Sequence, residues 1–270
     1  MVSQGCRGDG GRSRLDKSHI LILAGTADAR ALAARLVQHP GLTVTLSLAG
    51  RTLDPAALPA PVRSGGFGGA EGLAAYLRQE NISLLIDATH PFARRMTANA
   101  VEASRQTGIP LLKLERPAWT AQPGDNWSPF RTIREAVEAL GAVPRRVFLA
   151  TGRQGASAIE AAPQHHYLIR SVDPVDPPPA VPFARNILAR GPFSLEAELD
   201  LLTGHGIEVI ICKNSGGEAT YAKLEAARRL GLPVMMIERS AHEAPLSAGS
   251  ADEAMALISH WLEDAAKRGV

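Results

Sequence analysis

At 270 residues the chain is long enough for one large or two small domains, and its 45% hydrophobic content supplies a real core. A formal net charge of +2 gives no electrostatic basis for nucleic acid as a main partner, although 29 Lys and Arg remain available to local anion sites. Two cysteines, Cys6 and Cys212, build neither a disulfide framework nor a metal cluster, which points to a reducing compartment. No apolar stretch approaches the roughly 20 residues of a membrane span, and the N-terminus lacks the apolar run of a signal peptide. A cytoplasmic protein with no membrane partner is expected.

Residues 1–17 are rich in Gly and Arg without apolar periodicity and read as a disordered extension. From His19 the pattern changes. Residues 19–25 (HILILAG) form a continuous apolar run, as in a parallel strand buried on both faces. Residues 27–38 carry apolar side chains at helical spacing, stopped by Pro40-Gly41. A strand at 42–50, a helix at 69–79, a strand at 83–91, a helix at 93–108 and a strand at 109–115 follow. After a proline-rich stretch between Arg116 and Pro144, which holds one helical pattern, strands are predicted at 145–152, 165–172, 185–191, 207–217 and 233–240. The clearest helices of this half are 194–206, 218–231 and 251–268. Such alternation is the pattern of right-handed βαβ units. We therefore expect two Rossmann-like, doubly wound parallel-sheet domains facing a central cleft. The predicted division is 18–125 for a cofactor domain and 126–270 for a substrate domain, with a strand free to cross between them.

In open α/β sheets ligands sit beyond the carboxyl ends of the strands, and the informative polar residues cluster there. Gly25-Thr26-Ala27-Asp28 opens the first helix, where backbone N–H groups make an anion site. The full dinucleotide fingerprint is absent, and a plain βα turn reads equally well. The second strand ends in Gly50-Arg51 with no acid, which favours a 2′-phosphate over ribose hydroxyls; the alternative is a surface arginine. Asp87, Thr89 and His90 follow the third predicted strand. Histidine transfers protons near neutral pH, whereas Thr89 is also read as a helix N-cap. Arg94 and Arg95 add charge in the next turn. Arg153, Arg190 and Lys213 follow three strands of the second half, with Asn214, Ser215, Gly216 and Gly217 after the last. They read as an anion-lined wall whose glycines admit a ligand to the backbone, or else as a solvated basic rim. His165 and His166 form no ligand spacing, so no metal site is expected.

The stretches LILAGTADARALA, SLAGR, IDATHPFA, ATGR, ARGPF and ICKNSGGEATYAKLEAARRLGLPVMMIER resemble the precorrin-6A reductase family over residues 20–239. Ala24 stands where members often carry a second glycine. The resemblance implies NADPH-dependent reduction of one double bond of the precorrin-6A macrocycle to give precorrin-6B, in cobalamin biosynthesis. It implies Gly25, Thr26 and Ala27 at the pyrophosphate and Arg51 at the 2′-phosphate, with Lys213 and Asn214 also on the cofactor side. Asp87, Thr89 and His90 would face nicotinamide and macrocycle, with His90 as first proton-donor candidate. Arg94, Arg153, Arg190, Ser215 and Gly216 would hold the carboxylates of the tetrapyrrole. A monomer is expected, with other pathway enzymes as the only protein partners considered. The competing readings are a two-domain nucleotide-sugar glycosyltransferase and a non-catalytic NADP(H)-binding module, which fold alone does not separate from the first.

Overall fold

A computed structural model describes residues 18–50, 57–239 and 246–268. The 1–17 extension and Arg51 lie outside the described residues.

The first half runs β1 (Ser18–Leu23), α1 (Ala27–Leu36), β2 (Leu42–Leu48), β3 (Val62–Ser64), α2 (Ala70–Gln79), β4 (Ile82–Asp87), α3 (Arg94–Thr107) and β5 (Leu111–Leu114). The second half runs β6 (Trp127–Phe130), α4 (Ile133–Glu138), β7 (Arg146–Ala150), a 3-10 segment (Arg153–Ala161), β8 (His166–Ser171) and β9 (Ala184–Leu188). It continues with α5 (Leu195–Gly204), β10 (Val209–Lys213), a 3-10 turn (Glu218–Thr220), α6 (Ala222–Leu230) and β11 (Val234–Ile237). β12 (Leu246–Ala248) and α7 (Ala251–Arg268) close the chain.

Two six-stranded sheets result, in the orders β12-β5-β4-β1-β2-β3 and β6-β11-β10-β7-β8-β9. Every pairing is parallel. The first order is the 3-2-1-4-5-6 arrangement of a doubly wound nucleotide-binding sheet; the second keeps its five inner places, with β9-β8-β7-β10-β11 as 3-2-1-4-5, but fills the sixth with β6, which precedes the others in the chain. The outermost place of the first sheet is filled by β12, a strand from the far end of the chain. α7 likewise packs with α1 in the first core, through Ala254 and Ile258 against Leu32 and Leu36. The C-terminal strand and helix, which fall in the range assigned to the second unit, therefore belong to the first; the predicted division left room for a strand to cross, not for a helix. Chain order concealed this because β12 has only three residues, two of them exposed.

The continuous apolar runs are explained by burial on both faces. Ile20 and Ile22 of β1 face the α1/α7 core, while Leu21 and Leu23 face the α2/α3 core. In β10, Val209 and Ile211 point to one core and Ile210 and Cys212 to the other. β3 and β6 were not anticipated either. They are three and four residues long, mostly exposed, and lie at sheet edges, where alternation and burial leave little pattern to read.

The order reverses between β1 and β4 in one sheet and between β7 and β10 in the other. At such switch points the connections leave on opposite faces and open a crevice at the strands' carboxyl ends. The turns that begin at Gly25, Asp87, Thr151 and Lys213 all lie there.

Candidate functional site

Thr26 builds the first wall. Its Oγ1 caps α1 by accepting from the Ala29 N–H at 3.1 Å and donates to the Ala88 carbonyl at 2.9 Å. One hydroxyl thus fixes the β1–α1 turn against the end of β4. Gly25 has φ 140°, and a methyl group there would meet no atom within 4 Å. The glycine is demanded by backbone conformation, and the turn's outer side is open to a ligand. The first N–H groups of a helix have no carbonyl partner within it, and such a terminus favours an anion.

Asp87 is fully buried beneath this wall rather than facing it. Its Oδ1 accepts the Thr89 hydroxyl at 2.6 Å and the Thr89 N–H at 3.1 Å, and its Oδ2 accepts Thr97 Oγ1 at 2.7 Å and Lys113 Nζ at 2.8 Å. Burial alone would raise the Asp87 pKa; the Lys113 ammonium and these hydrogen bonds outweigh it and hold the carboxyl below its ordinary value. Thr89 does not cap α3. Its hydroxyl is spent on Asp87, and the helix begins five residues later, at Arg94, behind Ala93 and without a side-chain cap.

His90 is the residue of this turn that stays partly exposed. Its Nδ1 accepts the Phe92 N–H at 3.3 Å, which leaves Nε2 to carry the proton of the neutral ring. Burial, then the cations Lys213, Arg116, Arg239 and Lys113, push its pKa down to about 3. At neutral pH His90 is therefore an uncharged imidazole. It offers a hydrogen bond from Nε2 rather than a charged ring.

The same cations surround His90, and sequence reading had passed over three of them, Lys113 within β5 and two arginines at strand ends. Arg116 follows β5; it donates to Asp28 Oδ2 at 2.9 Å in the first turn of α1 and to the Ser215 carbonyl at 3.0 Å. Arg239 follows β11; it donates to Glu115 at 2.9 Å, to the Arg116 carbonyl at 2.7 Å and to the Asn214 carbonyl at 2.7 Å. Both occupy the strand-end place that had singled out Arg153, Arg190 and Lys213, so the signal was available. An unbroken chain of charges runs Asp87, Lys113, Glu115, Arg239 and joins the two sheets.

On the second unit, Lys213 ends β10 with its ammonium 5.5 Å from the Phe92 ring centroid, and burial lowers its pKa. Arg153 lies after β7, 3.9 Å from Asp173, and Arg190 is exposed after β9. β10 and β7 are neighbours, while β8 separates β7 from β9. At about 4.8 Å per strand, the row from Lys213 to Arg190 spans about 14 Å. Arg94 and Arg95 are exposed in the first turn of α3, which contains no acid. Cations there oppose the helix dipole by about 0.3–1 kcal/mol each, a cost that an anion in the cleft would reverse.

Four residues expected to touch ligand are tied into the architecture. The Asn214 amide is buried and doubly bonded to the Trp119 backbone, accepting from its N–H at 2.8 Å and donating to its carbonyl at 3.1 Å. Gly216 has φ 66°, and a methyl group there would lie 2.2 Å from the Pro117 carbonyl oxygen. At Gly217 it would lie 2.7 Å from Arg116 Cδ. These glycines admit the linker between the sheets. Ser215 contributes its carbonyl to Arg116. A further buried pair, Arg170 with Glu198, was also missed. Arg170 stacks 3.8 Å from the Phe193 centroid and so supports the loop that carries Arg190.

Fold and site together define a two-sheet parallel α/β protein with a cation-lined cleft where both switch points meet. The model of the family described as "Precorrin-6x reductase CbiJ/CobK" matches residues 19–259, and the chain belongs to that family. It is 53% identical over 253 residues to the precorrin-6A reductase of a Sinorhizobium species, covering 94% of this chain and 97% of that one. To the precorrin-6A reductase of Rhodobacter capsulatus it is 47% identical over 255 residues, covering 94% and 100%. The cobalt-precorrin-6A reductase of Priestia megaterium is more distant, 31% identical over 82% of this chain and 90% of that one. A solved structure named CobK precorrin-6A reductase superposes with a TM-score of 0.85 at 46% identity, over 90% of this chain and 96% of that one. This membership separates the chain from the glycosyltransferase and sensor readings.

Proposed function

We propose that this chain reduces one double bond of metal-free precorrin-6A, giving precorrin-6B, with NADPH as the reductant. The observation that carries the reading is the cationic cleft itself. Lys213, Arg153 and Arg190 stand in a row about 14 Å long, which matches a large ring bearing several carboxylates better than a single anion. The metal-free substrate is favoured because relatives at 43–53% identity are named precorrin-6A reductases, whereas those at 28–31% are named for the cobalt form.

The residues present fit a nicotinamide nucleotide. Gly25, Thr26 and Ala27 present an open, capped helix N-terminus to a pyrophosphate, and Arg116 stands beside that turn. Arg51, beyond the described residues, is assigned to the 2′-phosphate. The bound cofactor supplies the hydride. Arg153, Arg190, Arg94 and Lys213 orient the macrocycle through its carboxylates. His90 donates a hydrogen bond from Nε2 and keeps that proton, so the proton added to the ring comes from water. Asp87 and Thr89 hold the His90 turn in place. The cluster of cations also draws electron density across the ring toward the cleft, which favours hydride acceptance.

The test is to mix the protein with NADPH and precorrin-6A and follow nicotinamide absorbance. Stoichiometric oxidation with precorrin-6A is expected, and weaker turnover with the cobalt form. No oxidation with either, or a preference for the cobalt form, overturns the reading.

A further inference from the structure

The opposite edge of the second sheet carries a feature that the cleft chemistry does not use. Where β7, β8 and β9 begin, a cavity of about 280 Å³ is lined by Arg146, His166, Phe183, Arg185 and His205, with Tyr167, Leu168 and Ile207 at its floor. Parallel strands keep all their carboxyl ends on one side, so this cavity lies a strand length away from the cleft, about 20 Å for the six residues of β8.

Its polar groups are arranged for an anion. Arg146 and Arg185 are in no ion pair among the described residues. The nearby Glu208 carboxylate is engaged by the Arg146 backbone N–H at 2.7 Å. The Arg146 stem runs past Gly206, its Cδ 3.4 Å from where a methyl group on that glycine would lie. Beside the guanidiniums stands a flat shelf. The His166 and Phe183 rings stack with centroids 4.5 Å apart and planes at 23°. Their backbones are pinned, the Tyr167 N–H donating to the Phe183 carbonyl at 2.7 Å and the His166 N–H to the Arg145 carbonyl at 2.8 Å. Yet Phe183 is 51% exposed. A large apolar ring held open beside two guanidiniums that form no ion pair among the described residues is complementary to a ring that bears an oxyanion.

We propose that this cavity is a second ligand site, for a flat aromatic carboxylate, sulfonate or phosphate of about two fused rings. Its volume, about 280 Å³, admits a bicyclic acid.

The probe is 1-naphthalenesulfonate, titrated by calorimetry into the full chain with NADPH saturating the cleft. Inorganic sulfate and the neutral 1-naphthalenemethanol serve as the two halves of its chemistry. Saturable binding is expected, tighter than for either half. Arg146→Gln and Arg185→Gln should each weaken it about three- to tenfold, and Phe183→Ala should weaken the sulfonate while leaving sulfate unchanged. Reductase turnover should hold in all three variants. Because a surface variant can still perturb the fold, phenylglyoxal labelling of the wild-type chain supplies a second readout: the probe should protect Arg146 and Arg185 from modification. No saturable binding at millimolar probe, unprotected arginines, or binding lost through Arg153→Gln instead would each overturn the site.

Discussion

Arg116 reaches from the end of β5 to Asp28 in the first turn of α1, 2.9 Å away, while its Nε holds the Ser215 carbonyl of the other unit. The guanidinium thus stands where a phosphate would approach the helix, already neutralising the one acid there. If Arg116 serves the cofactor, Arg116→Ala and Asp28→Asn should act with opposite signs. The first should weaken NADPH binding about tenfold; the second should leave it unchanged or tighten it. Equal losses in both, tracked by titration of protein fluorescence, would reduce the pair to a structural clasp.

Asp87 and Lys113 form a buried pair at 6% and 0% side-chain exposure for the lysine and aspartate. Removing one charge strands the other, which costs about 3–5 kcal/mol. Asp87→Asn should therefore lower Tm by roughly 6–20 °C for a chain of this size. A calorimetric Tm within 2 °C or so of wild type would mean that the pair contributes little.

His90 makes acid destabilisation begin early. Its folded pKa, about 3, lies below the ordinary 6.5, so the unfolded chain takes up its proton first as pH falls. The contribution to stability is complete above about pH 6.5 and is lost progressively from there toward pH 3. Asp87, also depressed, adds a loss only below the ordinary carboxylate range. Wild-type Tm should fall between pH 6.5 and 4.5, and His90→Gln should flatten that segment. An unchanged slope would place the imidazole outside the cationic ring.

The same neutral ring sets an expectation for turnover. A side chain that only donates a hydrogen bond should be replaceable: His90→Gln should keep kcat within about tenfold, and the kcat profile should show no ionisation that disappears with the histidine. A drop of a hundredfold or more, the usual cost of a lost general acid, would restore His90 as the donor.

Arg51→Glu should weaken NADPH binding about ten- to a hundredfold and NADH binding far less. A second candidate stands at the next strand end. Arg63 donates to Ser47 Oγ at 3.2 Å and to the Gly65 carbonyl at 2.7 Å, with its guanidinium 3.7 Å from the Phe67 centroid. If Arg63→Glu and not Arg51→Glu separates the two cofactors, the 2′-phosphate belongs to Arg63.

Local pattern carried much of this molecule. Residues 20–25 and 209–212 are apolar without a break because both faces of their strands are covered, and that alone announces central strands of a parallel sheet. Strand-end turns at Gly25, Asp87, Thr151 and Lys213 were equally legible, since polar residues after such runs have few other uses. What the sequence left open were relations between distant segments. β12 joins β5 across more than 130 residues through a three-residue ladder, too short for any periodicity. Asp87 and His90 read alike as polar strand-end residues, and only tertiary packing put the one beneath the site with Lys113 and the other among four cations. Gly216 looked like a ligand-side glycine, and the Pro117 carbonyl 2.2 Å from its missing methyl was invisible in the chain. Secondary structure follows from neighbours a few residues apart, which one sequence displays. Burial, charge state and close approach are set by atoms brought from elsewhere, and those only the folded chain supplies.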